Sequence, residues 1–190
     1  MAELRDLLDL PGAILATPDE VGVDGEPVED ADTFAGNAEL KARYYAARSR
    51  LPTLADDSGL EVDALDGRPG VLTRRYAGED ASDADNNARL LAELEGLPPE
   101  RRRARYQCVL AFLEPSAEAT PLFTQGTMEG RIASRPRGNA GFGYDPIFEP
   151  LSEAPGARTV GQMSAAEKHA LSHRGQAARA MAAQLRQRGW

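Results

Sequence analysis

With 190 residues, 42% of them hydrophobic and 27% charged, the chain is expected to form one soluble globular domain, 1–190, or two small lobes sharing one core. Its 22 basic and 30 acidic residues leave a net charge of −8, which excludes a nucleic-acid polymer as the main partner but not a small phosphorylated ligand. The single cysteine, Cys108, forms no internal disulfide, and neither a signal peptide nor a ~20-residue apolar span is evident, so a cytoplasmic protein without a membrane partner is expected.

Leu4, Leu7 and Leu8 predict an amphipathic helix over Met1–Leu10, stopped by Pro11 and Gly12. Ala13 to Thr17 reads as a short strand, and the acidic run Pro18 to Asp32 as a loop. Thr33 then caps a helix reaching to about Arg50, with Phe34, Ala38, Tyr44 and Tyr45 on its apolar side. Leu51 to Ala55 reads as a buried strand ended by Asp56-Asp57-Ser58-Gly59. Ser82 opens a helix closed by Gly96 and Pro98. Strands over Ala104 to Glu114 and Leu122 to Ala133 predict a hairpin around Pro115 to Pro121, with Cys108 in the core. Pro136 to Gly143 is a Gly-rich loop and Tyr144 to Phe148 a strand; Ser164 and Glu167 form a capping box for a final helical region ending near Arg188. The intermixed order predicts an α/β fold with a mixed sheet.

Three stretches can carry chemistry. In the first, Asp56 and Asp57 lie together at the end of a strand. Paired carboxylates need a cation or a shared proton, and a hard oxygen site suits Mg²⁺. One of them can deprotonate water for attack on phosphorus, although Asp56 and Ser58 would equally build an Asx-type turn. In the second, Arg137 to Phe148, three glycines within six residues allow close backbone approach. There Phe142 offers a face for a base, unless the segment is an ordinary hairpin loop with Phe142 in the core. The third is Glu167-Lys168 with Ser172-His173-Arg174, where the donor-only Lys168 and Arg174 suit phosphate or a purine carbonyl and His173 can donate or accept, unless these charges form a solvated helix face. Among 22 basic residues only Lys41 and Lys168 are lysines, which makes Lys168 notable. His169 and His173 have a spacing that suits Zn²⁺, but no third His or Cys lies near, so zinc is not expected. Arg101 to Arg105 reads as a surface cluster, whereas Arg68 to Tyr76 could line a phosphate channel.

Thr33 to Ala42, Ala55 to Leu60, Arg75 to Gly78, Gly141 to Phe148 and Ser172 to Arg174, in this order and spacing, resemble the inosine triphosphate (XTP/dITP) pyrophosphatases. The resemblance implies an elongated mixed sheet flanked by helices, in two lobes with the substrate in a central cleft, and a homodimer. It implies Mg²⁺-dependent hydrolysis of ITP, dITP and XTP to the monophosphate and pyrophosphate, which cleanses the nucleotide pool. By motif, Asp57 is the catalytic base and a metal ligand, and Ser58, Phe142, Gly143, Tyr144, Asp145, Lys168, His173 and Arg174 bind substrate. Donor-only Lys168 and Arg174 suit the carbonyl acceptors of hypoxanthine and xanthine, because a mismatched base would leave buried donors unpaired.

Two departures stand out. The family begins with a strand and a Thr/Ser-x-x-Asn-x-x-Lys triphosphate loop without counterpart here, so the start is expected upstream and the sheet is expected to show an open edge or gap. Gly36 stands where many members carry a metal-binding Glu. Neighbouring Glu39 substitutes only if the backbone allows, which leaves Asp56 the leading second metal ligand. Two alternatives remain: a pyrophosphatase for a different nucleotide, and a nucleotide-binding protein without catalysis.

Overall fold

The structure, a computed structural model, describes Leu4, Leu8 and residues 10–116 and 118–190. The helix expected over Met1–Leu10 therefore lies largely outside the described residues; of its apolar positions Leu4 and Leu8 are described, and both are buried. Ala13 to Thr17 is irregular chain rather than a strand, and Ile14 is 95% exposed. A short apolar run forms a strand only where another strand takes its backbone groups, and no described strand pairs with this one.

The described helices are α1 (Phe34–Ser49), α2 (Asp83–Glu93), α3 (Ala165–Leu171) and α4 (His173–Gln187). The strands are β1 (Thr53–Val62), β2 (Arg103–Leu113), β3 (Leu122–Ile132) and β4 (Phe148–Pro150). Thr33 caps α1 as expected, accepting from the Gly36 N–H at 3.0 Å. The buried seam of α1 is Phe34, Ala38, Ala42 and Ala46, spaced four apart, while Tyr44 and Tyr45 are only half-buried. At α2, Ser82 and Asp85 form a reciprocal capping box. Residues Tyr144 to Phe148, expected as a strand, instead make a short 3₁₀ turn over Asp145–Ile147 before β4. Pro146 explains this: it lacks a ladder donor and its fixed φ suits a turn. The final helical region breaks at Ser172, whose extended backbone (φ −63°, ψ 139°) separates α3 from α4.

β1 continues through the Asp-Asp-Ser-Gly sequence instead of stopping before it. The sheet order is β1-β2-β3-β4. Side chains join Glu61 to Gln107 and Asp63 to Arg105, a register in which β1 and β2 run antiparallel. β2 and β3 form the expected hairpin, and β3 pairs antiparallel with β4, Gly130 opposite Pro150. The described strand pairs are thus antiparallel.

The chain forms two compact units. One comprises Met1–Ser58, Cys108–Gly126 and His173–Trp190, and the other Gly59–Gln107 and Thr127–Ser172. The first packs Cys108, Leu110, Phe112, Met181 and Leu185 into its core, which confirms Cys108 as plain core. It also holds a cavity of about 540 Å³, lined in part by Leu8, Leu15, Leu54 and Phe112, along the first residues of β1, an end strand of the described sheet. The second unit packs Leu60, Leu90, Tyr106, Ile147 and Phe148 together. No described helix is long and apolar enough to cross a membrane.

Within the first unit, Gly126 lets β3 meet the start of α4. A Cβ there would collide with the His173 carbonyl and crowd Gln176 and Ala177. Gly126→Ala is expected to lower stability by about 1–3 kcal/mol, measured as a loss in urea-unfolding free energy at an unchanged m-value.

Candidate active site

β-Strand geometry turns successive side chains to opposite faces, and this separates the two aspartates of β1. Asp57 meets α1: its carboxylate accepts from Lys41 Nζ at 2.9 Å and from Asn37 Nδ2 at 3.2 Å. Lys41 is shared with Glu29, whose Oε2 lies 3.0 Å from the same ammonium. Burial raises the Asp57 pKa above the usual carboxylate value, outweighing the opposing charge of Lys41. Burial alone would lower the Lys41 pKa, but the charge and hydrogen bond of Asp57, with help from Glu29, leave it raised. Burial and the Lys41 and Asn37 contacts thus act on the Asp57 carboxylate in opposite senses, and burial prevails.

Asp56 and Ser58 point the other way, to Arg174 on α4. The guanidinium donates to Asp56 Oδ2 at 3.1 and 3.2 Å and to Ser58 Oγ at 3.1 Å. Asp56 and Ser58 do not form an Asx turn, because the backbone there is an extended strand. His173, at the head of α4 in the same unit, is buried.

The remaining predicted residues lie in the second unit. Arg137 ties down the Gly-rich loop by pairing with buried Glu149 and donating to the Gly156 and Ala157 carbonyls at 2.6 Å. Gly141 turns with φ +79°, and a Cβ there would strike the Asp145 carboxylate, so both conformation and space require glycine. Asp145 is buried and organises the loop. Its Oδ2 accepts from the Phe142 N–H at 2.9 Å and pairs with Lys168, while Oδ1 takes a long contact from Tyr106 at 3.4 Å. Lys168 lies 4.0 Å over the Phe142 ring, a cation–π arrangement. Phe142 is 60% exposed and so is not a core residue. Tyr144, in contrast, is buried, its hydroxyl donating to the Thr73 carbonyl at 2.9 Å.

Asn37, Lys41 and Glu29 were not singled out as site residues from the sequence. Lys41 carried a signal, as one of only two lysines, but its partner Asp57 is sixteen residues away and the pairing depends on how α1 meets β1. Two basic clusters also change meaning. Arg68 is paired with Glu93 and bonded to the Tyr76 hydroxyl rather than free for phosphate. Arg102, read as surface, is buried.

The two aspartates expected to share one ion are thus held apart by different cations. No group of three or more His, Cys, Asp or Glu side chains suited to a metal is found among the described residues. Asp57 by itself fits a hard cation that arrives with a triphosphate, since Mg²⁺ is commonly held by one or two carboxylates plus substrate phosphates.

The four-stranded antiparallel sheet together with the described helices defines a protein of the α/β class. The chain belongs to the Ham1 family, whose model matches residues 1–184. It is 47% identical over 184 residues to a dITP/XTP pyrophosphatase of Yersinia pseudotuberculosis serotype I (strain IP32953), covering 97% of this chain and 91% of the relative. The dITP/XTP pyrophosphatase of Escherichia coli (strain K12) is 44% identical over the same shares. Among solved structures, a HAM1 protein from Coxiella burnetii superimposes with a TM-score of 0.90 at 41% identity, over 98% of this chain and 92% of that one. The resemblance carried by the sequence motifs is therefore borne out, and with it the fold of this family.

Proposed function

We propose that the protein hydrolyses deaminated purine nucleoside triphosphates, ITP, dITP and XTP, to the monophosphate and pyrophosphate, cleansing the nucleotide pool. The observation that carries the chemistry is the Asp57 carboxylate, half-buried against Lys41 and Asn37 with a raised pKa. Asp57 takes a proton from water, the water oxygen attacks the α-phosphorus, and the bond from that phosphorus to the bridging oxygen breaks as pyrophosphate leaves. Lys41 offsets negative charge beside the base. Asp57, together with the substrate phosphates, would hold a Mg²⁺ ion, which would supply charge neutralisation for the leaving group. Asp56 is then an anchor for Arg174 rather than a second metal ligand.

Base recognition is assigned to Phe142 for stacking, to the backbone from Gly143 through Tyr144 and Asp145, and to the donors Lys168, His173 and Arg174. Ser58 contacts substrate through the hydroxyl that Arg174 holds. The identities of the relatives support this reading, as all those named above as pyrophosphatases act on dITP or XTP by name. On the same reading, residues 1–190 act as one catalytic domain in a cytoplasmic homodimer; a purely monomeric species in sedimentation at micromolar concentration would remove the dimer.

The direct test is pyrophosphate release from ITP, dITP, XTP and GTP. Release favouring the first three by at least tenfold over GTP, abolished by EDTA and restored by Mg²⁺, is the expected result. Release of single phosphates, or indifference to EDTA, would overturn the proposal.

A further inference from the structure

The loop that carries Phe142 is gripped from α2. Gly143 donates its N–H to Asp83 Oδ2 at 2.7 Å and accepts at its carbonyl from Asn87 Nδ2 at 3.0 Å. Asp83 and Asn87 are four residues apart, so one turn of one helix face offers an acceptor for the amide and a donor for the carbonyl. Gly143 itself turns with φ +61°. The residues on either side are fixed too, Phe142 through its N–H to Asp145 and Tyr144 through its hydroxyl to Thr73.

Asn87 shows what this grip is for. Its side chain is buried, and its Oδ1 has no hydrogen-bond partner among the described residues. An orphaned buried acceptor costs stability, and an apolar side chain of similar size would avoid that cost. What Asn87 contributes is the donor to Gly143.

Resting on the base-recognition role proposed for Phe142, we infer that Asp83 and Asn87 are positioning residues that hold the Gly143 peptide and so pre-organise the Phe142 ring for a purine. Neither touches the base. They act by removing loop conformations that binding would otherwise have to freeze out.

Asn87→Leu keeps the branched outline of the side chain and loses the donor; Asp83→Ala loses the acceptor, and Asp83→Asn retains an oxygen that can accept. In Asn87→Leu and Asp83→Ala, KM for ITP is expected to rise about 3- to 10-fold, the worth of one hydrogen bond, with kcat within about twofold. Asp83→Asn should stay near the parent protein. Amide exchange read at Gly143 gives a second, activity-independent measure, and should quicken about tenfold or more in Asp83→Ala. A kcat loss at constant KM, or a fall in Tm with unchanged KM and unchanged Gly143 exchange, overturns the inference. If the parent protein releases no pyrophosphate from any purine triphosphate, the proposed function fails, while Gly143 exchange still decides whether the grip exists.

Discussion

Asp57→Asn is expected to lower kcat for pyrophosphate release from ITP by about a thousandfold, within the range a positioned general base contributes. The substitution keeps the shape of the side chain, and its amide oxygen can still accept from Lys41 or Asn37, which donate to Asp57 at 2.9 and 3.2 Å. Lys41 also keeps Glu29, 3.0 Å from its ammonium, so the removal of one carboxylate charge does not leave it isolated. What is lost is the ability to take a proton from water. The fold should survive, with kcat falling far more than KM changes. Asp56→Asn is the control. Asp56 faces Arg174 on the opposite side of β1, and its loss should act on Arg174 and substrate binding rather than on the base. Equal kcat losses in the two variants would sink the assignment of Asp57 as the base.

Arg102→Met is expected to destabilise the protein by about 3–5 kcal/mol, because each buried carbonyl left without a donor costs roughly 1–3 kcal/mol. The guanidinium donates to the carbonyls of Leu94, Ile132 and Ala133, each at 2.8 Å, and so joins the end of α2 to the end of β3. Methionine fills much of the space but offers no donor, so three carbonyls lose their partner at once. At roughly 2–4 °C per kcal/mol for a chain of this size, Tm should fall by about 10 °C. Calorimetry measures this directly. A shift below about 2 °C would mean that water replaces the guanidinium without cost, and that the network is not structural.

Arg102 also shows why some of the site and fold could not be read from residue order. It sits in a run of arginines, and local composition makes such a run look like a solvated surface. Its burial follows from where three carbonyls converge, two of them some thirty residues further along the chain. The same holds for Asp57 with Lys41, and for Gly143 with Asp83, sixty residues apart. Hydrogen bonds of this kind leave no periodic trace. The Ala13–Thr17 strand failed for a related reason: alternation and apolarity describe a candidate strand, but pairing needs a neighbour that the local pattern does not contain.

Features written in short-range chemistry were legible in residue order. Caps at Thr33, Ser82 and Ser164, the long hairpin strands β2 and β3, and the Gly-rich loop all appear where local patterns place them. The ordered motifs likewise pointed to the family to which the chain belongs. Long-range packing, by contrast, gives Asp56 and Asp57 different partners, exposes Phe142 while burying Asp145 three residues on, and sets α2 against the Gly143 peptide. The physical reason is common to these cases. Caps and periodicities act over three or four residues, whereas the partner of a buried charge is set by which surfaces the packed elements bring together.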